Sequence, residues 1–198
     1  RFPEPLSALC ANVTDAILRL YTTVNPNLLI DNILDRNYFD ILIYQDKRIP
    51  LEDASTDITF SHYVYEHITD PESSIAEVAR ITKSGWYGIH EIEYGDHIFD
   101  RESLFFRTIP ECLFKWLFWK SGWYVNRKTH NAYKELFVKY GFEVIYEKPI
   151  AVYQDTMVEK YLKRLPGYAR EDIRIEKWLI IVKKKKRKKN EYIFSSIL

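Results

Sequence analysis

The stretch TDITFSHYVYEHITDPESSIAEVARITKSGWYGIHEI, Thr56–Ile92, predicts a strand, a loop, a helix and a second strand in that order. Its first six residues are rich in β-branched and aromatic side chains, which favour strands. From Asp70 the apolar residues recur at three- and four-residue spacing, so Asp70 or Ser73 can cap a helix that Gly85 is expected to stop. A helix between two strands indicates that the strands lie parallel in one sheet.

Further helices and strands are predicted on both sides of this unit. Ahead of it, the apolar spacing around Ser7–Leu20 predicts a helix, and YFDILIY predicts a strand at Tyr38–Tyr44. Behind it, Thr129–Tyr140 predicts a helix ended by Gly141, and FEVIYE and IEKWLIIV predict two strands that can pair antiparallel. The sequence thus predicts an α/β fold, mostly parallel with an antiparallel C-terminal strand. Its three segments are a helical lead-in at 1–37, a sheet domain at 38–183 and a basic tail at 184–198.

Composition narrows the class of protein. The chain has 198 residues, 46% of them hydrophobic, which suits one domain with a real core. No uninterrupted apolar run approaches the roughly 20 residues that cross a bilayer. Two cysteines are too few for a disulfide framework, so we expect a cytoplasmic protein.

Charge and glycine placement bear on the ligands that the chain can bind. The formal net charge is +1, and the run KKKKRKK at Lys183–Lys189 contributes strongly to it. A terminal lysine run without aromatic residues or glycines is more typical of a solvated end, so we predict no nucleic-acid partner. All six glycines lie at or after Gly85, so the sequence ahead of Gly85 holds no glycine-rich turn for phosphates or dinucleotides.

Several short sequence motifs occur in a fixed order along most of the chain. They are Asp46, Ile49-Pro50-Leu51, Ser55-Thr56-Asp57, Glu66-His67, Asp70-Pro71, Arg80-Ile81-Thr82-Lys83-Ser84-Gly85 and, later, YKELFVKYGFEVI. In this order and spacing they resemble the second half of a class I S-adenosylmethionine-dependent methyltransferase with the methyltransferase type 11 pattern, from Phe39 to about Val182. The resemblance implies a Rossmann-like sheet. The family's first two strands and its glycine-rich motif are missing, so we expect a sheet that is incomplete at the N-terminus and a truncated enzyme.

The resemblance implies S-adenosyl-L-methionine as the cofactor and locates its site. In an open parallel sheet, ligands lie outside the carboxyl ends of the strands, where Ser61 and His62 are expected. By resemblance, Ser61 and His62 line the cofactor pocket, Asp46 accepts a hydrogen bond from the adenine amine, and Ile49 flanks the ring.

The loop after the strand Trp86–Ile92 offers candidate catalytic residues. Methyl transfer to a hydroxyl needs a base, and Asp96 beside His97 can orient an imidazole whose ordinary pKa is about 6.5. The alternative is that Asp96 caps a turn and that His97 faces solvent. Both interpretations stay open from the sequence.

Three further residues are candidates for binding the acceptor. His90 lies on the strand itself, where a core histidine is the commoner outcome. Asn126 and Arg127 precede the Thr129 helix and suit an acceptor carboxylate or phosphate, although both are also ordinary helix-start residues.

The spacing of His62, Glu66 and His67 allows a metal site as a less favoured alternative. Zinc needs converging ligands at about 2.0 to 2.2 Å, and neither an HExxH word nor a third ligand is apparent. We therefore predict no metal and a structural role for Glu66 and His67 in the loop before the Asp70 helix.

The segment ECLFKWLFWKSGWY, Glu111–Tyr124, is apolar nearly all round if it is helical. We interpret it first as a lid over the acceptor or as part of the core. The alternative is an interfacial helix that makes peripheral contact with a membrane, with Lys115 and Lys120 at the headgroup level.

The sequence therefore favours a methyltransferase that moves a methyl group from S-adenosyl-L-methionine to an oxygen or nitrogen of a small-molecule or saccharide acceptor. One alternative is a degenerate, non-catalytic interaction domain of the same fold. Another is a metal-dependent hydrolase that uses His62, Glu66 and His67.

Overall fold

The strand, helix and strand of Thr56–Ile92 form in the predicted order. The computed structural model describes residues 48–99, 104–119 and 124–186. Strand β1 spans Thr56–His62, a 3-10 turn spans Tyr65–His67, helix α1 spans Pro71–Ile81 and strand β2 spans Thr82–Glu93. Asp70 caps α1 by accepting a hydrogen bond from the Ser73 backbone N–H at 3.2 Å, and Pro71 takes the first helical position. β1 and β2 pair in parallel, as predicted.

The end of α1 lies ahead of the glycine that was expected to stop it. The helix ends at Ile81, and Thr82 already has an extended backbone with φ −75° and ψ 126°. Gly85 instead lies inside β2 with φ +88°, in the stretch where the pairing with β1 shifts register. Glycine adopts a positive φ more easily than other residues. Gly85 therefore allows the irregularity in β2 and does not cap α1.

The remaining elements complete a four-stranded sheet. They are helices α2 (Phe105–Thr108), α3 (Glu111–Phe118) and α4 (His130–Lys139), strand β3 (Phe142–Val152), helices α5 (Asp155–Leu162) and α6 (Arg170–Arg174), and strand β4 (Ile175–Lys184). The strand order is β1-β2-β4-β3, and β4 runs antiparallel to both of its neighbours. β1, β2 and β3 therefore share one direction, which confirms the predicted α/β sheet with its antiparallel C-terminal strand.

Two apolar clusters hold these elements together. The sheet cluster joins α1 and α4 to one face of the sheet and includes Ile75, Ile92, Phe137, Trp178 and Ile180. The cap cluster is formed by the helices that follow the carboxyl ends of β2 and β3, and it includes Leu104, Phe106, Phe114, Val158 and Ile173. The short helices thus form a cap beside the carboxyl end of the sheet.

Some predictions lie outside the described residues, namely the lead-in helix within 1–37, the strand Tyr38–Tyr44 and the basic tail beyond Lys186. The start of the basic run is described and belongs to β4. Lys184 Nζ donates a hydrogen bond to the Tyr140 carbonyl at 2.6 Å, at the carboxyl end of α4, where a cation is favourable. No helix in the described ranges is long and apolar enough to cross a membrane.

Candidate functional site

A small polar cavity lies at the carboxyl ends of β1 and β2, between the sheet cluster and the cap cluster. Its polar lining is formed by Glu66, Glu93, Tyr94, Arg107, Asn126, Arg127, Lys128 and Tyr133. The centre of a water-sized sphere can move within about 10 Å³ of the cavity. The cavity therefore has room for about one water molecule. The sheet topology places this cavity at the edge where α/β folds bind their ligands.

Glu66 brings a buried carboxylate into the cavity. It lies in the 3-10 turn after β1 and is 3% exposed. Neither of its carboxylate oxygens has a hydrogen-bond partner at good geometry in the described part of the chain. Burial raises the pKa of Glu66 to about 7, against the weaker lowering effects of nearby backbone N–H groups and of His97. Glu66 is thus an acid that titrates close to neutral pH.

Arg107 and Tyr94 line the same cavity with unused polar atoms. Arg107, on α2, is 5% exposed, and its two terminal nitrogens donate to the carbonyls of Arg127 at 2.8 Å and Tyr94 at 3.3 Å. Its Nε and the Tyr94 hydroxyl have no partner among the described residues. Burial lowers the pKa of Arg107 and raises that of Tyr94. The cavity therefore concentrates unsatisfied polar atoms, which are rare in protein interiors.

Asn126 and Tyr133 hold the Glu66 turn in place. Asn126 Nδ2 donates to the carbonyls of Tyr65 at 2.7 Å and Ile68 at 2.9 Å, and its backbone N–H donates to the Glu66 carbonyl at 2.8 Å. The Tyr133 hydroxyl donates to the Tyr65 carbonyl at 2.9 Å. The predicted acceptor-binding residue Asn126 thus positions the turn that carries Glu66.

Asp96 and His97 contact different partners in the structure. Asp96 Oδ1 accepts from the backbone N–H groups of Ile98 at 2.8 Å and Phe99 at 3.1 Å, which is the turn-capping alternative. The His97 ring pairs instead with Glu93, at 3.7 Å between Nε2 and Oε2, and lies 5.0 Å from the His67 ring. His97, with Lys177, keeps the pKa of Glu93 low. The expected partner of His97 is therefore replaced by Glu93.

Arg127 is committed to holding the cap. Its Nη1 donates to the carbonyls of Phe106 at 2.9 Å and Ile109 at 2.7 Å, and its Nη2 pairs with Glu111. The guanidinium also lies 4.4 Å above the Phe114 ring. Arg127 also lines the cavity, together with Arg107.

Ser61 and His90, predicted for cofactor and acceptor, contact each other. Ser61 Oγ lies 2.8 Å from His90 Nδ1. His90 is 1% exposed, its ring stacks on Phe137 at 5.0 Å, and burial lowers its pKa to about 3. His90 is therefore a neutral core histidine beneath the site, the commoner of the two outcomes considered for it.

The other predicted cofactor residues lie apart. His62 stands at the carboxyl end of β1, with Nδ1 3.3 Å from Glu91 Oε2, and Tyr63 beyond it has a left-handed backbone with φ +52°. Ile49 lies at the opposite end of the strand, where its N–H donates to Glu77 at 3.0 Å and its carbonyl accepts from Arg80 at 2.8 Å. Asp46 is outside the described residues.

The side chains considered for a metal do not converge. His67 Nδ1 lies 3.0 Å from the Tyr124 carbonyl, and His62 pairs with Glu91. Within the described ranges, no group of three histidine, cysteine or acidic residues has metal-binding geometry. The geometry thus gives the hydrolase alternative no support.

Sequence analysis did not single out Arg107 and Tyr94 as lining the cavity, and it assigned Glu66 a structural role. No local pattern marks Arg107, because its burial arises only when the cap packs against the sheet. Tyr94 directly follows β2, so its position at the carboxyl end of a strand was the one available signal.

Comparison with known proteins bears on the family. Residues 24–89 match the model of a methyltransferase domain family, and the match includes β1, α1 and the first part of β2. About a third of the chain is therefore similar to a methyltransferase domain. No curated protein matches the sequence.

The chain is also similar to solved methyltransferase structures. A candidate sarcosine dimethylglycine methyltransferase from Galdieria sulphuraria matches with a TM-score of 0.50 at 12% identity, over 78% of this chain and 63% of that one. A chain from the complex between the Haloferax volcanii Trm112 methyltransferase activator and a candidate methyltransferase matches with a TM-score of 0.46 at 20% identity, over 77% and 66%. The chain thus spans just under two thirds of these proteins.

Proposed function

We propose that the protein is a methyltransferase that transfers a methyl group from S-adenosyl-L-methionine to an oxygen or nitrogen of a small-molecule or saccharide acceptor. The observation that carries this proposal is the cavity with its unpartnered carboxylate at the carboxyl ends of β1 and β2, in a class I methyltransferase fold. Proton acceptors and hydrogen-bond donors meet there, which is what an acceptor group needs during transfer.

The residues at the carboxyl end of β1 fit the proposed cofactor. His62 is partly exposed there and is a polar residue at the edge where α/β folds bind ligands, and the left-handed turn at Tyr63 keeps this end of the strand irregular. When bound, S-adenosyl-L-methionine supplies a methyl group on an activated sulfonium. Of this chain's residues, His62 and Ser61 would hold the cofactor, and Glu66 and Tyr94 would face the acceptor.

Cofactor binding and methyl transfer test the proposal separately. Titration calorimetry with S-adenosylhomocysteine is expected to show binding, and His62→Ala is expected to weaken it about 10-fold, as the loss of one polar contact at a site would. Tritiated methyl transfer from S-adenosylmethionine is then measured on acceptor panels. A chain that neither binds the cofactor nor transfers methyl groups would support the alternative, a non-catalytic domain.

We also propose that the protein is cytoplasmic and that α3 makes peripheral contact with a membrane. Leu113, Trp116 and Leu117 form an apolar surface on α3, and Trp116 is 79% exposed. The opposite side of the helix carries Phe114 into the cap cluster. A helix that is apolar on both sides suits an interface between water and lipid.

Sedimentation with vesicles of neutral and anionic phospholipid tests the membrane contact. The wild-type protein is expected to sediment with the vesicles, and Trp116→Ser is expected to reduce the bound fraction severalfold. Trp86→Ser, which removes a half-exposed tryptophan from β2, is the matched control. A wild-type protein that stays in the supernatant would remove this proposal without affecting methyl transfer.

A further inference from the structure

We propose that the cavity beside Glu66 receives a hydroxyl group of the acceptor and that Glu66 takes its proton, so that the reaction is methylation at oxygen. This inference rests on the proposed methyltransferase function and names the reacting group and the base. It replaces the pair Asp96 and His97, to which the sequence pointed.

Geometry favours Glu66 over the other ionisable groups near the cavity. Asp96 already accepts two backbone hydrogen bonds, and Glu93 is engaged by His97 and Lys177. Glu66 alone among these three carboxylates has both oxygens buried without a hydrogen bond at good geometry, and the backbone N–H groups of Glu66 and Glu93 are near it. A base must be free to accept the proton, and Glu66 meets that condition.

The donors around the cavity favour an oxygen nucleophile. Arg107 Nε–H and the Tyr94 hydroxyl have no acceptor among the described residues. Two donors that face one small space stabilise an oxygen that becomes negative as it loses its proton. A neutral amine that attacks with its lone pair develops positive charge and would be disfavoured by a neighbouring guanidinium.

The size of the cavity fits a hydroxyl group. Its room for about one water molecule admits a single hydroxyl, with the rest of the acceptor outside the cavity. A bound water is the alternative occupant, because a site with several polar partners also suits water.

The proposed step balances. The bond between the acceptor oxygen and the methyl carbon forms as the bond from that carbon to sulfur breaks, and the electron pair of the broken bond stays on sulfur. The hydroxyl proton moves to the Glu66 carboxylate and later leaves to solvent.

The titratable and charged groups around Glu66 come from four elements and one loop. His67 belongs to its own turn, Glu93, Tyr94 and His97 lie at the end of β2, Arg107 belongs to α2, and Tyr133 belongs to α4. Arg127 and Lys128, in the loop before α4, line the same cavity. His97 favours the charged form of Glu66, and Glu93 opposes it. With burial as the largest effect, the pKa of Glu66 is about 7, so the base becomes available as the pH rises through neutrality.

The test compares wild type, Glu66→Gln, Tyr94→Phe and the surface control Glu147→Gln, whose carboxylate pairs with Lys134. Tritiated methyl transfer is measured from S-adenosylmethionine to hydroxyl probes (catechol, glucose, glycerol) and matched amine probes (aniline, glucosamine). We expect transfer to hydroxyl probes, with kcat/KM rising as the pH passes about 7. Glu66→Gln is expected to lower kcat about 100-fold or more and to flatten the pH profile. Tyr94→Phe is expected to lower kcat by about 10-fold or more, and Glu147→Gln to change neither.

A second readout is independent of turnover. In protein labelled with ¹³C at the glutamate carboxyl carbons, one signal that is missing in Glu66→Gln is expected to titrate near pH 7. Near-ultraviolet circular dichroism checks that each variant is folded.

Three results would overturn the inference while the methyltransferase function stands. The first is a Glu66→Gln variant that keeps the wild-type kcat and pH profile. That result would indicate that the cavity holds a structural water and not the acceptor hydroxyl. The second is transfer to amine probes alone, and the third is a Glu66 signal that does not titrate between pH 6 and pH 8. A wild-type protein that methylates no probe contradicts the proposed function and, with it, this inference.

Discussion

At the residue scale, Glu66 gives the protein an unusual dependence of stability on pH. Its pKa rises from an ordinary value of 4.5 to about 7 in the fold, so the folded state holds this proton more tightly than the unfolded state. The free energy of unfolding therefore falls as the pH rises from about 4.5 to about 7. Above pH 7 the Glu66 carboxylate is charged in the folded state, and the free energy of unfolding is lowered by the full cost of burying that charge.

Glu66→Gln is expected to remove this pH dependence. One pKa unit corresponds to about 1.4 kcal/mol. The free energy of unfolding of the variant minus that of wild type is therefore expected to be larger at pH 8 than at pH 4.5, by at most about 3 kcal/mol. Urea denaturation of both proteins at the two pH values measures this gain. Glu147→Gln, at an exposed ion pair, serves as the control. An equal difference between wild type and Glu66→Gln at both pH values would contradict the assignment of a raised pKa to Glu66.

The sequence predicted single residues well where their roles are local. Asp70 caps its helix through an atom three residues away, and the sequence contains both partners. Arg107 and Glu66 gain their properties from burial between the cap and the sheet, and that burial depends on segments far apart in the chain. The contacts of Arg127 with the cap likewise depend on packing, which a helix-start position alone does not show.

At the element scale, Gly141 ends α4 and starts β3. Its φ is +84°, and its N–H donates to the Val138 carbonyl at 3.1 Å. A left-handed residue after the last turn satisfies free carbonyls of the helix, and glycine takes this conformation at the lowest cost. A Cβ at this position would lie 3.3 Å from Lys184 Nζ, the flexible end of a side chain.

Gly141→Ala is expected to lower the free energy of unfolding by about 1 kcal/mol, because a Cβ disfavours the left-handed conformation. Gly141→Asn is the matched variant and is expected to cost less, since asparagine tolerates this backbone better. Chemical denaturation of the three proteins measures the differences. Equal stabilities for the alanine variant and wild type would show that the turn does not require a left-handed residue.

Apolar spacing predicted the four strands and helices α1 and α4, but it predicted neither the short helices α2, α5 and α6 nor the lengths of the strands. The pattern FEVIYE predicts a strand of six residues, but β3 continues to Val152 through Pro149. Proline cannot donate a ladder hydrogen bond, and it is accommodated because the register with β4 shifts between Pro149 and Ala151. Pairing with β4, which no local pattern contains, extends the strand.

At the scale of the whole molecule, β4 lies between β2 and β3 and connects them. Trp178 on this strand is 1% exposed and belongs to the sheet cluster with Tyr133 and Phe137. Its ring also lies 5.8 Å from that of His130 at the start of α4. One side chain therefore links the last strand to a helix of the sheet cluster.

Trp178→Ala is expected to cost about 3 to 5 kcal/mol in the free energy of unfolding, because it removes a large buried ring and leaves a cavity. This loss is a large part of the 5 to 15 kcal/mol typical of whole domains. Trp116→Ala, at a position 79% exposed, is the matched control and is expected to change stability little. Denaturation followed by circular dichroism compares them, and similar midpoints for both variants would contradict the central place of Trp178.

The position of β4 also has a consequence for how the protein is made. Tyr87 on β2 pairs with Lys183 on β4, so the middle of the sheet joins β2 to a strand that is synthesised well after it. On the ribosome, β2 and β3 cannot join one sheet until β4 has been synthesised and pairs with both. Pairing between strands that are far apart in sequence is slow. During that interval, their unpaired edges are exposed to other chains. Newly made protein is therefore expected to depend on chaperones until β4 has been released from the ribosome.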